Sequence, residues 1–215
     1  MASRGLSRGS DDPELIALLL RQLYLVRMEE QNYAEALLLA SEMVDLEELG
    51  DIARQDAARA AVGLSDYETA IGHLRIASRI SPADRRAFHL ATLGALLRLA
   101  GRAREAAATL GKATRWAQKD RALYRAQEAL AAREAGIEQE VDWLSLRKEL
   151  ETLESLRGYS LYILGELCAL LGDRAASRDY LERFLRRLEG APLIKQLALK
   201  GELGRARALL LELSA

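Results

Sequence analysis

Asn32-Tyr33-Ala34-Glu35-Ala36 and Asp66-Tyr67-Glu68-Thr69-Ala70 are two versions of one phrase: Tyr33 to Tyr67 and Ala36 to Ala70 are both offsets of 34 residues. The phrase returns as Gly101-Arg102-Ala103-Arg104-Glu105-Ala106, with Ala106 lying 36 residues after Ala70, and again in looser form as Gly172-Asp173-Arg174-Ala175-Ala176-Ser177. A fixed period of roughly 20–50 residues marks a repeat architecture. Working outward from these phrases, breakers fall at Gly50, Gly63, Ser81-Pro82, Gly101, Gly136, Gly172 and Gly190-Ala191-Pro192. The stretches between them have helix length, and no stretch alternates with period two as a strand would. Asp12 before Pro13 and Glu14 predicts the first helix start, since Asp caps free N–H groups and Pro at the first helical position has none to lose.

Composition agrees. Of 215 residues, 50% are hydrophobic and 29% charged, enough apolar material for a core and too little charge bias for disorder. Ala, Leu, Glu and Arg dominate, Pro is limited to three residues, and aromatics are 5%, which favours helix over a β-sandwich or barrel. The formal net charge of −1 supplies no general attraction to nucleic acid or anionic membrane. A single cysteine, Cys168, excludes an internal disulfide and suits a reducing compartment. Neither a signal-peptide core nor a membrane-spanning run is expected, so the sequence reads as cytoplasmic.

The spaced residues closely resemble the tetratricopeptide repeat family, over roughly residues 15–190. Unit 17–50 carries Leu20, Leu23, Tyr33, Ala36, Ala40 and Met43 at the pattern's key places, and unit 51–84 carries Ala57, Ala58, Tyr67, Ala70, Leu74, Ala77 and Pro82. Unit 87–120 carries Leu90, Leu93, Gly94, Leu97, Gly101, Ala106, Leu110 and Ala113, and unit 158–191 carries Leu161, Leu164, Gly165, Cys168, Gly172, Leu181 and Phe184. Unit 121–157 is irregular: Tyr124 and Ala131 fit, Glu128 and Glu140 stand where small residues belong, and Trp143, Leu146, Leu150 and Leu153 form an apolar stripe. The expected fold is therefore all-α, a right-handed solenoid of antiparallel helix pairs. It has a mobile tail over 1–11, a single domain over 12–215, about five units, and a capping pair over 192–215 broken near Gly201–Gly204.

The residue pattern holds no catalytic or metal constellation. His73 and His89 lie in different units without a zinc-type pairing, so a surface or packing role is expected of each. Cys168 falls on an inward position, where a thiol is inert. Gly5 and Gly9 lack the ending of a phosphate loop, and Glu47, Glu48 and Asp51 read as a solvated, salt-bridged face. No cofactor and no enzyme activity are expected.

The resemblance implies a binding groove lined by first-helix residues. On that register it shows Leu18, Arg21, Leu25 and Met28, then Gln55 and Arg59, then Phe88, Ala91 and Arg98, then Arg125 and Arg133, and last Tyr159, Tyr162 and Glu166. Such a groove suits a partner peptide or helix with acidic and apolar residues. The plainer alternative is that these arginines are helix-surface charges paired within the chain. The family's carboxylate clamp is matched by Arg21 alone, because Leu25 and Asp56 replace its asparagines. The resulting expectation is a protein-interaction module acting as adaptor, scaffold or assembly factor. The alternatives are a cytoplasmic chaperone for secretion-system clients and, with less support, an RNA-binding repeat or an enzyme. Pairing with a second copy, through an apolar end or the region 137–157, stays open.

Overall fold

The computed structural model describes residues 12–152 and 158–214. The expected tail over 1–11, and Leu153 of the apolar stripe, lie outside the described residues. Among those described, the chain is all-α, with no strand. The helices are α1 (Pro13–Glu29), α2 (Tyr33–Asp45), α3 (Gly50–Gly63), α4 (Tyr67–Ile80), α5 (Ala83–Leu99) and α6 (Ala103–Trp116). They continue as α7 (Arg121–Glu134), α8 (Trp143–Glu151), α9 (Tyr159–Leu170), α10 (Arg174–Glu189), α11 (Leu193–Ala198) and α12 (Lys200–Glu212). Among the described residues the first ten helices form successive pairs, α1/α2 to α9/α10. We call the odd-numbered members of these pairs the first helices.

The period is written into the turns. Every first helix ends on a residue in the left-handed region: Gln31, Ser65, Gly101, Gly136 and Gly172, at φ of 59°, 62°, 73°, 65° and 77°. The next N–H reaches back to a carbonyl of the last turn, as in Asn32 to Arg27, Asp66 to Ala61, Arg102 to Leu97 and Asp173 to Cys168. This closes orphan carbonyls and reverses the chain. Where the following residue is Asn or Asp, its side chain caps the second helix: Asn32 accepts from Glu35 N, Asp66 from Thr69 N and Asp173 from Ala176 N. The repeated phrase is thus a turn and a cap in sequence form. Asp12 caps α1 in the same manner.

The chain divides into two compact units. The first comprises residues 1–89 with 192–198. Its core gathers Leu20, Tyr24 and Met28 of α1, Ala36, Ala40 and Met43 of α2, and Ala53, Ala57 and Ala60 of α3. Alanines here let the helices approach closely. The short helix α11 packs on α1 and α3 and adds Leu197 to this core.

The second unit comprises residues 90–191 with 199–215. Leu130, Leu146, Leu150, Leu161, Ile163, Leu164, Leu181, Phe184, Leu188 and Ala206 are among its buried core residues. The irregular repeat resolves into a short second helix. The chain leaves α7 at Glu134, turns at Gly136, and runs without regular structure until Asp142 caps α8 through Ser145 N. Glu140 is exposed in that connection rather than facing a helix. Glu128 is tolerated because Gly111 faces it: a Cβ on Gly111 would lie 2.8 Å from Glu128 Oε1. Thr114 Oγ1 also donates to the Glu128 carboxylate at 2.9 Å. One expectation is corrected. The last pair breaks at Leu199, and Gly201 and Gly204 lie inside α12. The physical reason is that a glycine in a helix interior weakens the helix without ending it.

Candidate protein-interaction site

The charged residues of the first helices are organised around buried acids. In the first unit Asp56 of α3, 1% exposed, accepts from Arg21 Nε of α1 at 2.9 Å and from Arg59 at 2.7 Å. Tyr24 adds a hydroxyl bond from α1 to the Asp56 carbonyl at 3.0 Å. The acid standing at a clamp-asparagine position therefore already holds the arginine that matches the clamp. One turn away Asp51 is also buried, against the expectation of a solvated face. It receives two bonds from Arg85 at 2.9 Å and lies 2.7 Å from His89 Nε2. Burial opposes the charge on Asp51, but the bonds from Arg85 and His89 outweigh it and hold the carboxyl below its usual range. Burial also lowers His89, despite the Asp51 contact. His89 thus has the packing role expected of it, with an acid partner supplied by another helix.

The second unit carries the larger assembly. Arg98, 5% exposed at the end of α5, donates to Glu134 of α7 at 2.6 and 3.0 Å. It also donates to Glu166 of α9 at 3.0 and 3.1 Å. One guanidinium therefore ties three successive first helices, a task that needs its flat multi-donor fork. Burial opposes the charges here too. The carboxylates nonetheless hold Arg98 charged, and Arg98 in turn pulls Glu134 below its ordinary range. Tyr162, buried against Phe184, donates to Glu166 at 2.8 Å.

Helix α12 lies on this same face. Arg205 donates to Glu134 at 2.7 Å, beside Arg98. Glu202, 4% exposed, is a hydrogen-bond partner of Tyr159, and burial pushes its carboxyl up to about 7. Its Oε2 has no partner among the described residues. A Cβ on Gly201 would fall 2.3 Å from Leu99 Cδ1, so the Leu99 side chain occupies the space beside Gly201. Just past the far end of α12, Arg174 and Arg178 of α10 both donate to the Leu213 carbonyl, at 3.0 and 3.1 Å.

The residues expected to line a groove therefore separate by burial. Phe88 and Arg125 are exposed, while Arg21, Leu25, Arg59 and Tyr159 are half-buried. Met28 and Tyr162 are core residues at 1% exposure, and Gln55 and Arg98 are buried. Of the five arginines named for the groove, four have acids within the chain, Arg21 and Arg59 on Asp56, Arg98 on Glu134 and Glu166, and Arg125 on Glu149, while Arg133 is exposed. The acidic partners had no sequence signal of their own. Asp56 and Glu134 stand among 32 acids, and no spacing rule joins residues from different repeats. Cys168 is fully buried, and burial pushes its thiol up to about 11, the inert state expected of it. No cluster of metal-ligating side chains occurs among the described residues, and none of their helices is long and apolar enough to cross a membrane.

Solved structures share this architecture. Pseudomonas aeruginosa pilF superposes with a TM-score of 0.55 at 15% identity, covering 92% of this chain and 88% of its own. Two structures of a Podosopora anserina putative kinesin light chain with nearly identical TPR-like repeats, one of them a point variant, give TM-scores of 0.57 and 0.54 at 15% identity. They match 91% and 89% of this chain, over 100% and 98% of theirs. No protein family matches the sequence, and neither does any curated protein. The chain has a helical-repeat fold of the tetratricopeptide type.

Proposed function

We propose that this chain is a protein-interaction module that receives a helical segment of a partner protein on its first-helix face. The observation that supports this reading is that each compact unit already holds a helix there: α11 lies on α1 and α3, and α12 lies across residues of α5, α7 and α9. Nothing in the assembly of Arg98, Glu134 and Glu166 offers a free nucleophile or an open pocket for chemistry, since each group is engaged by another. Of the groove set, the accessible members would touch a partner: Arg21, Leu25, Arg59, Phe88, Arg125 and Tyr159. Met28, Gln55, Arg98 and Tyr162 would support them from beneath. Because four of the five groove arginines are neutralised within the chain, apolar fit and exchange of ion pairs would govern affinity more than acidity of the ligand. An adaptor, scaffold or assembly role in a reducing cytoplasm fits this chemistry and the lone buried cysteine.

Site-specific photo-cross-linking from within the native host tests the reading. Cross-linking side chains placed at Arg125 and Phe88, on first helices, should capture a partner segment. The same group at Leu38 of α2, 66% exposed, should not. Capture from Leu38 alone would move the site to the second helices and sink the proposal.

A further inference from the structure

We infer that this chain docks on itself: the acidic end of α2 in one copy seats on the basic end of α6 in a second copy. This goes beyond the function just proposed and uses the ends of second helices, not the first-helix face.

Charge is divided between the two compact units. The first holds 11 Lys and Arg against 15 Asp and Glu, and the second 20 against 17, so their formal charges are −4 and +3. Two patches concentrate the imbalance. Leu38, Glu42 and Asp45 share one face of α2 at i, i+4 and i+7, and Glu47 and Glu48 follow in the turn to α3. Lys112, Arg115 and Trp116 share one face of α6 at i, i+3 and i+4, and Lys119 and Arg121 follow at the entry to α7. All of these residues are exposed. Both patches occupy the same place in a repeat, the end of a second helix and the passage to the next first helix. Among the described residues, neither the four acids nor the four bases have an ionic partner, although most charges of the first helices do.

Both patches also sit badly within their own chain. Asp45 closes α2 at the negative end of the helix dipole, and no base lies in that last turn. Arg121 opens α7 at the positive end of its dipole, where the first turn has no acid and Asp120 makes no side-chain cap bond. An opposite charge from outside relieves each strain, and each patch offers the other what it lacks. Leu38, 66% exposed, and Trp116, 44% exposed, add an apolar contact beside the charges. Exposed ion pairs are individually weak and screened by salt, so the contact is weak and salt-sensitive. It joins unlike surfaces, which makes it head to tail.

Charge exchange in the full chain provides the test. Sedimentation equilibrium is run in about 0.01 M and about 1 M salt, where screening lengths are about 30 and about 3 Å. The wild type should associate as its concentration rises in the low salt and stay monomeric in the high salt. Glu42→Lys/Asp45→Lys and Lys112→Glu/Lys119→Glu should each weaken association at least about ten-fold, with circular dichroism unchanged. An equimolar mixture of these two variants should associate again, because the first keeps the basic patch and the second keeps the acidic one. A wild type that is monomeric in both salts would overturn the inference, as would variants that associate like the wild type or a mixture that stays monomeric. If the wild type is monomeric yet binds polyglutamate or a single-stranded oligonucleotide through Lys112 and Lys119, the basic patch serves another partner and self-docking falls. The two readings fail separately. A photo-cross-linker at Leu38 should join two copies of this chain, whereas capture of a different protein there counts only against the first-helix site.

Discussion

Leu181 fills the space that a side chain on Gly165 would need: a Cβ built there would fall 2.5 Å from Leu181 Cγ. Gly94 and Leu110 stand in the same relation in the third pair, also at 2.5 Å. In both, the small residue of a first helix takes the large one of its second helix, which sets how closely the pair packs. Gly165→Ala should therefore cost about 1–3 kcal/mol by overpacking, although alanine is the better helix former. Gly204→Ala, where no atom lies within 4 Å of the new methyl group, should instead stabilise by up to about 1 kcal/mol. Urea denaturation of the two variants separates packing from propensity. A neutral Gly165→Ala would show that the pair relaxes freely.

Two of the five repeat turns use the wrong residue for their backbone. Gln31 and Ser65 occupy the left-handed region that Gly101, Gly136 and Gly172 fill elsewhere. A side chain there costs on the order of 1 kcal/mol. Ser65→Gly should then stabilise the first unit by about 0.5–1 kcal/mol, with an unchanged circular dichroism spectrum. A destabilised Ser65→Gly would mean that flexibility gained by the unfolded chain outweighs the relief.

These turns explain why the repeat was legible. Breaker, cap and small residue are local, and they recur at fixed offsets, so Asn32-Tyr33 and Asp66-Tyr67 disclose the fold without any tertiary information. The charge network was not legible, because Arg98 finds Glu134 and Glu166 across two further repeats and only the packed helices bring them together. Burial departs from the expected register for the same reason. The family register places Met28 and Tyr162 on the groove side, but α1 meets α3 and α11, and Tyr162 meets Phe184, so both end in the core. The run of α12 onto α5 and α7 had no signal at all, since Gly201 reads in sequence as a break and acts in the fold as a seat for Leu99.

Arg98 and Arg125 should respond to truncation in opposite ways. Arg98→Ala removes a cation that is 3% exposed and leaves Glu134 with Arg205 and Glu166 with Tyr162 alone, and removal of one member of a buried network costs up to about 3–5 kcal/mol. Arg125→Ala removes a pair whose side chains are 49% and 44% exposed, so its effect should stay below about 1 kcal/mol. Adding Glu134→Gln and Glu166→Gln to Arg98→Ala should return part of the loss, since it removes negative charge that has lost its main cation. Additive losses across that set would show that the network contributes through packing alone.

Stability should also depend on pH. Glu202 has its folded carboxyl pushed up to about 7, chiefly by burial, above the 4.5 of an exposed glutamate. Between those values the unfolded chain releases this proton while the folded chain keeps it, so unfolding gains from every rise in pH. The stability tied to the neutral group is thus complete below about pH 4.5 and has gone once pH passes about 7. Glu202→Gln keeps the neutral shape and cannot ionise. Its advantage over the wild type should be near zero at pH 4.5 and should reach on the order of 2–3 kcal/mol at about pH 8. Because Glu202 belongs to α12, the same difference should appear as slower amide exchange across residues 200–212 in the variant at the higher pH. An advantage that does not change across this range would mean that Glu202 reaches water when it ionises, and that α12 already moves away from Tyr159 to let it do so.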